Sequence, residues 1–218
     1  MKKMTKILCA VLALVLAVGA GIGGTLAWLT DKTETVTNTF TVGKLAITLD
    51  ESDTDEYGVV KADAERVKAN EYKLVPGHRY VKDPVVHVQP NSEASYVYVV
   101  VENGLQPVID AKHIGAPEDF ICNIEEQMRT GTPASHEWNM FPAVVNGKYA
   151  TVHWKAVKAT GEGETIDLPV FDYFQLRGNI DNATVEQAAN EKITITAYAV
   201  QQDGFGSAQE AWNATFGK

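Results

Sequence analysis

Apolar and polar positions alternate with a period of two in several separate stretches, the spacing of half-buried strands rather than of helices. Leu45, Ile47 and Leu49 alternate with Ala46, Thr48 and Asp50. Near the end of the chain Ile193, Ile195, Ala197 and Ala199 share one face, and Thr194, Thr196, Tyr198 and Val200 share the other. Residues 94–102, ASYVYVVVE, are the densest run of aromatic and β-branched side chains and predict a central strand. Turn signals separate these runs: Pro76-Gly77, Asn91-Ser92-Glu93, Asn103-Gly104 and Gly161-Glu162-Gly163. Asn146-Gly147 between two apolar runs predicts a two-residue hairpin. Glu164–Leu176 reads as extended, with Pro169 marking an edge or a bulge.

Helical signals are few. A short helix is expected within Asn182–Asn190, and Ser207 with Glu210 three residues on forms a capping-box pattern before a terminal helix. Residues 105–135 fit two readings. Pro117 followed by acids suits a helix start, whereas Phe120, Cys122 and Ile124 alternate as on a strand; a strand with a loop is preferred. Residues 51–71 are acidic and then mixed, which predicts a solvated insertion with at most a short exposed helix at 62–68. About eight short strands with turn punctuation point to an all-β antiparallel sandwich with few short helices.

The first 30 residues have a different composition. Their only charges are Lys2, Lys3 and Lys6, and twelve apolar residues, 7–18, precede a glycine-rich stretch. This is the layout of a secretory signal peptide. A spanning helix needs about 20 apolar residues, and Gly19, Gly21, Gly23 and Gly24 interrupt the run. Thr25 and Ala27 supply small residues at the −3 and −1 positions, so cleavage is expected between Ala27 and Trp28. Three lysines and no acids leave with residues 1–27, which moves the formal charge from −9 to −12. An acidic chain argues against nucleic acid as a partner. Cys9 leaves too, and Cys122 becomes the single thiol, read as a small buried hydrophobe.

After the cut, threonine occupies every second position from Thr33 to Thr41, with Glu34, Val36, Asn38 and Phe40 between. β-branched residues at that period favour extended chain. The chain therefore divides into a leader at 1–27, an extended segment and first strand at 28–50, and a sandwich domain at 51–218 that carries the acidic insertion at 51–71.

The order of these features resembles the TasA/camelysin family of exported Gram-positive proteins, processed by the signal peptidase SipW. The residues that carry the resemblance are Gly24-Thr25 at the leader's end, then Thr37, Phe40, Gly43 and Leu45. They continue with the turn Leu74, Pro76 and Gly77, the strand Tyr96–Val101 and the closing strand ITITAYAVQ. The resemblance covers about residues 15–101 and 191–201, and leaves 105–190 aside. It implies a jelly-roll-like sandwich at the cell surface or in the extracellular matrix, with a SipW-type peptidase and other copies of the chain as partners. It also implies fibres in which the N-terminal segment of one subunit completes the sheet of the next. The candidate assembly residues are Thr33, Thr35, Val36, Thr37, Thr39, Phe40 and Val42. Such a segment adds to an open sheet edge through main-chain hydrogen bonds.

Some members of the family are classed as metalloendopeptidases. A zinc protease of the H-E-x-x-H type needs two histidines one helical turn apart. His136-Glu137 is followed by Trp138-Asn139-Met140, and no two of His78, His87, His113, His136 and His153 are closer than nine residues. Spacing lends no support to a site built from His78, His87 and His153. Counting from Asp53 as an EF-hand loop puts Gly58 at position six but Ala64 where a bidentate Glu is required. There is no nucleophile elbow, phosphate loop or C-x-x-C. Tyr96, Tyr98, Trp138, Trp154 and Tyr198 are read as core before a carbohydrate-stacking face. No catalytic residue, cofactor or metal ligand is predicted. The expected function is that of an exported structural protein. A camelysin-like metalloendopeptidase is the first alternative, and a membrane-tethered adhesion or ligand-binding module, held by an uncleaved leader, is the second.

Overall fold

The computed structural model describes residues 44–105, 124–131, 136–176, 178 and 180–217, and the backbone of 30–33. Its strands form two main antiparallel sheets. The larger is ordered β1-β11-β6-β8-β7, where β1 is Thr30–Thr33, β6 Ser95–Asn103, β7 Asn139–Val145, β8 Lys148–Val157 and β11 Ile193–Gln201. The smaller is ordered β3-β2-β5-β9, from Arg66–Val67, Ile47–Ser52, Val85–Val88 and Ile166–Pro169. A two-stranded piece pairs β4 (Arg79–Val81) with β10 (Tyr173–Gln175). The three described helices are α1 (Ile124–Thr130), α2 (Asn182–Ala188) and α3 (Ala208–Phe216). The architecture is an all-β sandwich.

β6 shows why this sequence makes a sandwich. Val97 and Val99 point into the core between the sheets, with Ile47, Val86 and Val88 opposite and Ile195, Ala197 and Ala199 beside them on β11. Tyr98 and Val100 point the other way, into a second core with Phe141, Val152, Tyr198, Val200 and Trp212. Both faces of the central strand are buried, which is why its sequence reads as nearly continuous apolar residues rather than a strict alternation. The second core exists because α3 lies across the outer face of the larger sheet. Trp212 sits edge-on or tilted among the rings of Tyr98, Phe141, Tyr198 and Phe216. The Tyr98 hydroxyl donates to the Ala208 carbonyl at 2.7 Å.

Local signals predict local structure well. Asn146 and Gly147 take φ of 51° and 76° in the β7–β8 turn, the left-handed pair that a two-residue hairpin demands. Ser207 caps α3 by accepting from the Glu210 N–H, while the Glu210 carboxylate reaches back to the Gly206 N–H rather than to that of Ser207. Asp181 caps α2 through the Thr184 N–H. Pro169 lies on β9 at the outer edge of the smaller sheet, where a missing N–H costs no ladder bond.

Ile124, expected on a strand face with Phe120 and Cys122, instead opens α1. Ile124 and Met128, one helical turn apart, both enter the inter-sheet core, and Glu125, Glu126 and Arg129 complement the ends of α1. Phe120 and Cys122, the other residues of the supposed strand face, lie outside the described residues. Most of residues 53–71 are exposed or half-buried, as expected of a solvated insertion, and local contacts order the segment. Asp55 accepts from the N–H groups of Tyr57 and Val59, Thr54 bridges Val60, and Glu51 is buried.

Candidate functional site

β11 has two edges. One pairs along its full length with β6, Ile193 opposite Asn103 through Gln201 opposite Ser95. The other carries β1, with Thr30 opposite Val200 and Thr33 opposite Ala197. β1 therefore covers only residues 197–200, and among the described residues no strand pairs with that edge of Ile193–Thr196. The far edge of the same sheet is β7, where Pro142 lacks an N–H for pairing.

A cavity of about 680 Å³ opens beside Ile193–Ile195 of β11. Its apolar walls come from both sheets and their connections: Leu49, Leu74, Leu105, Phe174, Ile193 and Ile195. Glu51 and Lys82 also line it, joined by an Nζ–Oε2 contact of 2.7 Å. Both side chains are more than nine-tenths buried. Asn70 completes the group by donating to Glu51 Oε1 at 3.0 Å and to the Ser52 carbonyl at 2.8 Å. Tyr72 donates its hydroxyl to the Val81 carbonyl. Burial first, and then the Glu51 carboxylate, push the Tyr72 phenol above its ordinary range, so it stays protonated and remains a donor.

This pair follows from strand parity. Leu45, Ile47 and Leu49 face inward, and two residues further the same parity delivers Glu51. Tyr80, Pro84, Val86 and Val88 are buried on one parity, and Lys82 falls on it. Sequence reading missed both residues, although extending each alternation by one step would have shown an acid and a base on inward positions. Buried ion pairs rarely add net stability over apolar residues of the same size, so a pair placed on a cavity wall has a claim to function.

A second polar cluster lies on the outer face of the smaller sheet. His87 Nδ1 meets Asp167 at 2.6 Å and Nε2 meets Asp50 at 3.0 Å, tying β2, β5 and β9 together. Arg66 bonds Asp50 as well. Burial pulls the His87 imidazole down, but the two carboxylates outweigh it and hold its pKa above the ordinary value.

Of the predicted assembly residues, Thr33 ends β1 opposite Ala197. Thr35, Val36, Thr37, Thr39, Phe40 and Val42 lie outside the described residues, as do the expected cleavage residues Ala27 and Trp28 and also His113. The structure does not gather His78, His87 and His153. His78 bonds the Tyr57 carbonyl, His87 lies between its aspartates, and His153 is buried in β8. Among the described residues no three His, Cys, Asp or Glu side chains form a group able to hold a metal ion. No described helix is long and apolar enough to cross a membrane. The five aromatics do not share one face: Tyr96, Tyr98, Trp154 and Tyr198 belong to the core under α3, and Trp138 to the core between the sheets.

No family model matches the chain, and neither the curated proteins nor the solved structures contain a match.

Proposed function

We propose that this chain is an exported structural protein of the cell surface or extracellular matrix, with a jelly-roll-like sandwich that assembles by N-terminal strand donation. The observation that carries the reading is the place of β1. The residues directly after the expected cut form an edge strand that covers four of the nine residues of β11. An edge strand attached by so short a pairing is readily exchanged for the same strand of another copy, and β11 then serves as the acceptor. Removal of residues 1–27 by a SipW-type peptidase frees the donor segment that includes Thr33, Thr35, Val36, Thr37, Thr39, Phe40 and Val42. Until then the leader holds it at the membrane.

The test is a protein that begins at Trp28, followed by size-exclusion chromatography and electron microscopy over a range of concentrations. Concentration-dependent oligomers or fibres are expected, and deletion of residues 28–42 should abolish them while leaving a folded domain. A strictly monomeric species at high concentration overturns the reading.

A further inference from the structure

The chain holds two Asn-Gly pairs, Asn103-Gly104 and Asn146-Gly147, and the fold treats them differently. Asn146 and Gly147 form the exposed tip of the β7–β8 hairpin, between the paired residues Val145 and Lys148. A Cβ on Gly147 would meet nothing within 4 Å. Among the described residues, neither the Gly147 N–H nor the Asn146 side-chain amide is hydrogen-bonded. Asn103 and Gly104 lie half-buried where β6 ends. The Gly104 N–H donates to the Lys192 carbonyl at 2.9 Å, and Asn103 Oδ1 accepts from the Leu105 N–H at 3.2 Å. Leu105 is fixed in the inter-sheet core, and Asn103 pairs with Ile193 of β11.

An asparagine followed by glycine can close a five-membered ring on itself, because glycine has no side chain to obstruct the approach. Once hydroxide removes its proton, the Gly147 nitrogen attacks Asn146 Cγ. The N–Cγ bond forms, the Cγ–Nδ2 bond breaks, and ammonia leaves with a proton taken from water. A second water opens the succinimide at either carbonyl and gives aspartate or isoaspartate. The sum is amide plus water to carboxylate plus ammonium, with no oxidant and no cofactor. Ring closure requires the turn to leave its left-handed angles, φ of 51° and 76°, so its rate follows the cost of local opening. At a solvated hairpin tip that cost is small. At Asn103 the opening must break the Gly104–Lys192 bond and draw Leu105 out of the core.

We infer that Asn146 is a site of spontaneous deamidation, and that the fold protects the other Asn-Gly asparagine, Asn103. The modification is one-way and has a local consequence. Isoaspartate carries the main chain through the former side chain and so lengthens a two-residue turn that sets the β7–β8 register. β7, the outer strand of the larger sheet, is thereby loosened from β8.

The full chain is held in warm, mildly alkaline buffer, sampled at intervals, digested with trypsin and mapped by mass spectrometry. Asn146 falls in the peptide 130–148 and Asn103 in the peptide 83–112. Each conversion adds about 1 Da, and fragmentation assigns it to a residue. In the folded chain Asn146 should convert at least about tenfold faster than Asn103. In guanidinium, where both are simply Asn-Gly, the two rates should agree within about twofold. Equal rates in the folded chain overturn the inference, because the fold then selects neither site. An Asn146 that stays intact in the folded chain while it converts in guanidinium overturns it as well. Amide exchange along β7 and β8 should be faster in the isoaspartate fraction than in fresh protein; unchanged exchange overturns the loosening and leaves the site standing.

Discussion

Glu51 Oε2 and Lys82 Nζ meet at 2.7 Å with side chains only 5% and 8% exposed, and they come from segments 31 residues apart. The two charges are held by each other and by Asn70, so the cost of losing one differs sharply from the cost of losing both. Lys82→Met leaves an unpaired buried carboxylate and is expected to cost about 3–5 kcal/mol. The Glu51→Leu, Lys82→Met double variant removes both charges, leaves Asn70 bonded to the Ser52 carbonyl, and should lie within about 1 kcal/mol of the parent. Urea denaturation of the parent and the two variants measures both.

Two histidines give stability opposite pH dependences. The His87 pKa is raised above 6.5, so its contribution is complete below pH 6.5 and is lost as pH rises through the raised value. Burial holds His153 down to about 4, well under its ordinary 6.5. Between pH 6.5 and 4 the unfolded chain takes up a proton at His153 that the folded one refuses, so stability falls as the solution is acidified across that window. Imidazole resonances followed by NMR should show His87 titrating above, and His153 below, a free histidine. His87→Gln should flatten the alkaline side of the stability profile, and His153→Gln the acid side.

Trp212 is the anchor of α3. It is 2% exposed and meets the rings of Tyr98, Tyr198 and Phe216 at centroid distances of 5.2, 5.2 and 4.8 Å. Trp212→Ala should cost about 3–5 kcal/mol and loosen the helix from the sheet. Loss of near-ultraviolet circular dichroism and faster amide exchange along α3 would report it, while β6–β8 pairing persists.

Two glycines separate conformational from steric cost. Gly58 has φ of 73°, and a Cβ there would lie 2.7 Å from the Tyr80 Cα. Gly147 has φ of 76° with nothing within 4 Å of such a Cβ. Gly147→Ala should therefore cost about 1–2 kcal/mol, the left-handed backbone alone. Gly58→Ala should cost more, because the backbone of β4 must also shift. Thermal denaturation of the two variants side by side tests the order.

By itself the sequence determined what depends on neighbours a few residues away. The alternation of Leu45–Leu49 and Ile193–Val200, the left-handed Asn146-Gly147 turn and the Ser207 cap are local matters of pleat, backbone angle and orphan N–H groups. Parity also placed Glu51 and Lys82 on inward positions, although not beside each other. Residues 117–128 fit either period in the sequence, and for Ile124–Thr130 only the core that receives Ile124 and Met128 selects the helix. Tertiary structure alone decided that β6 is buried on both faces, since α3 must fold back across the sheet to cover Tyr98 and Val100. It also brought Asp50 and Asp167 to His87 from sequence distances of 37 and 80 residues, and set β1 along half of β11. Such partners are chosen by burial and pairing summed over the whole sandwich, and no local preference in the chain encodes them.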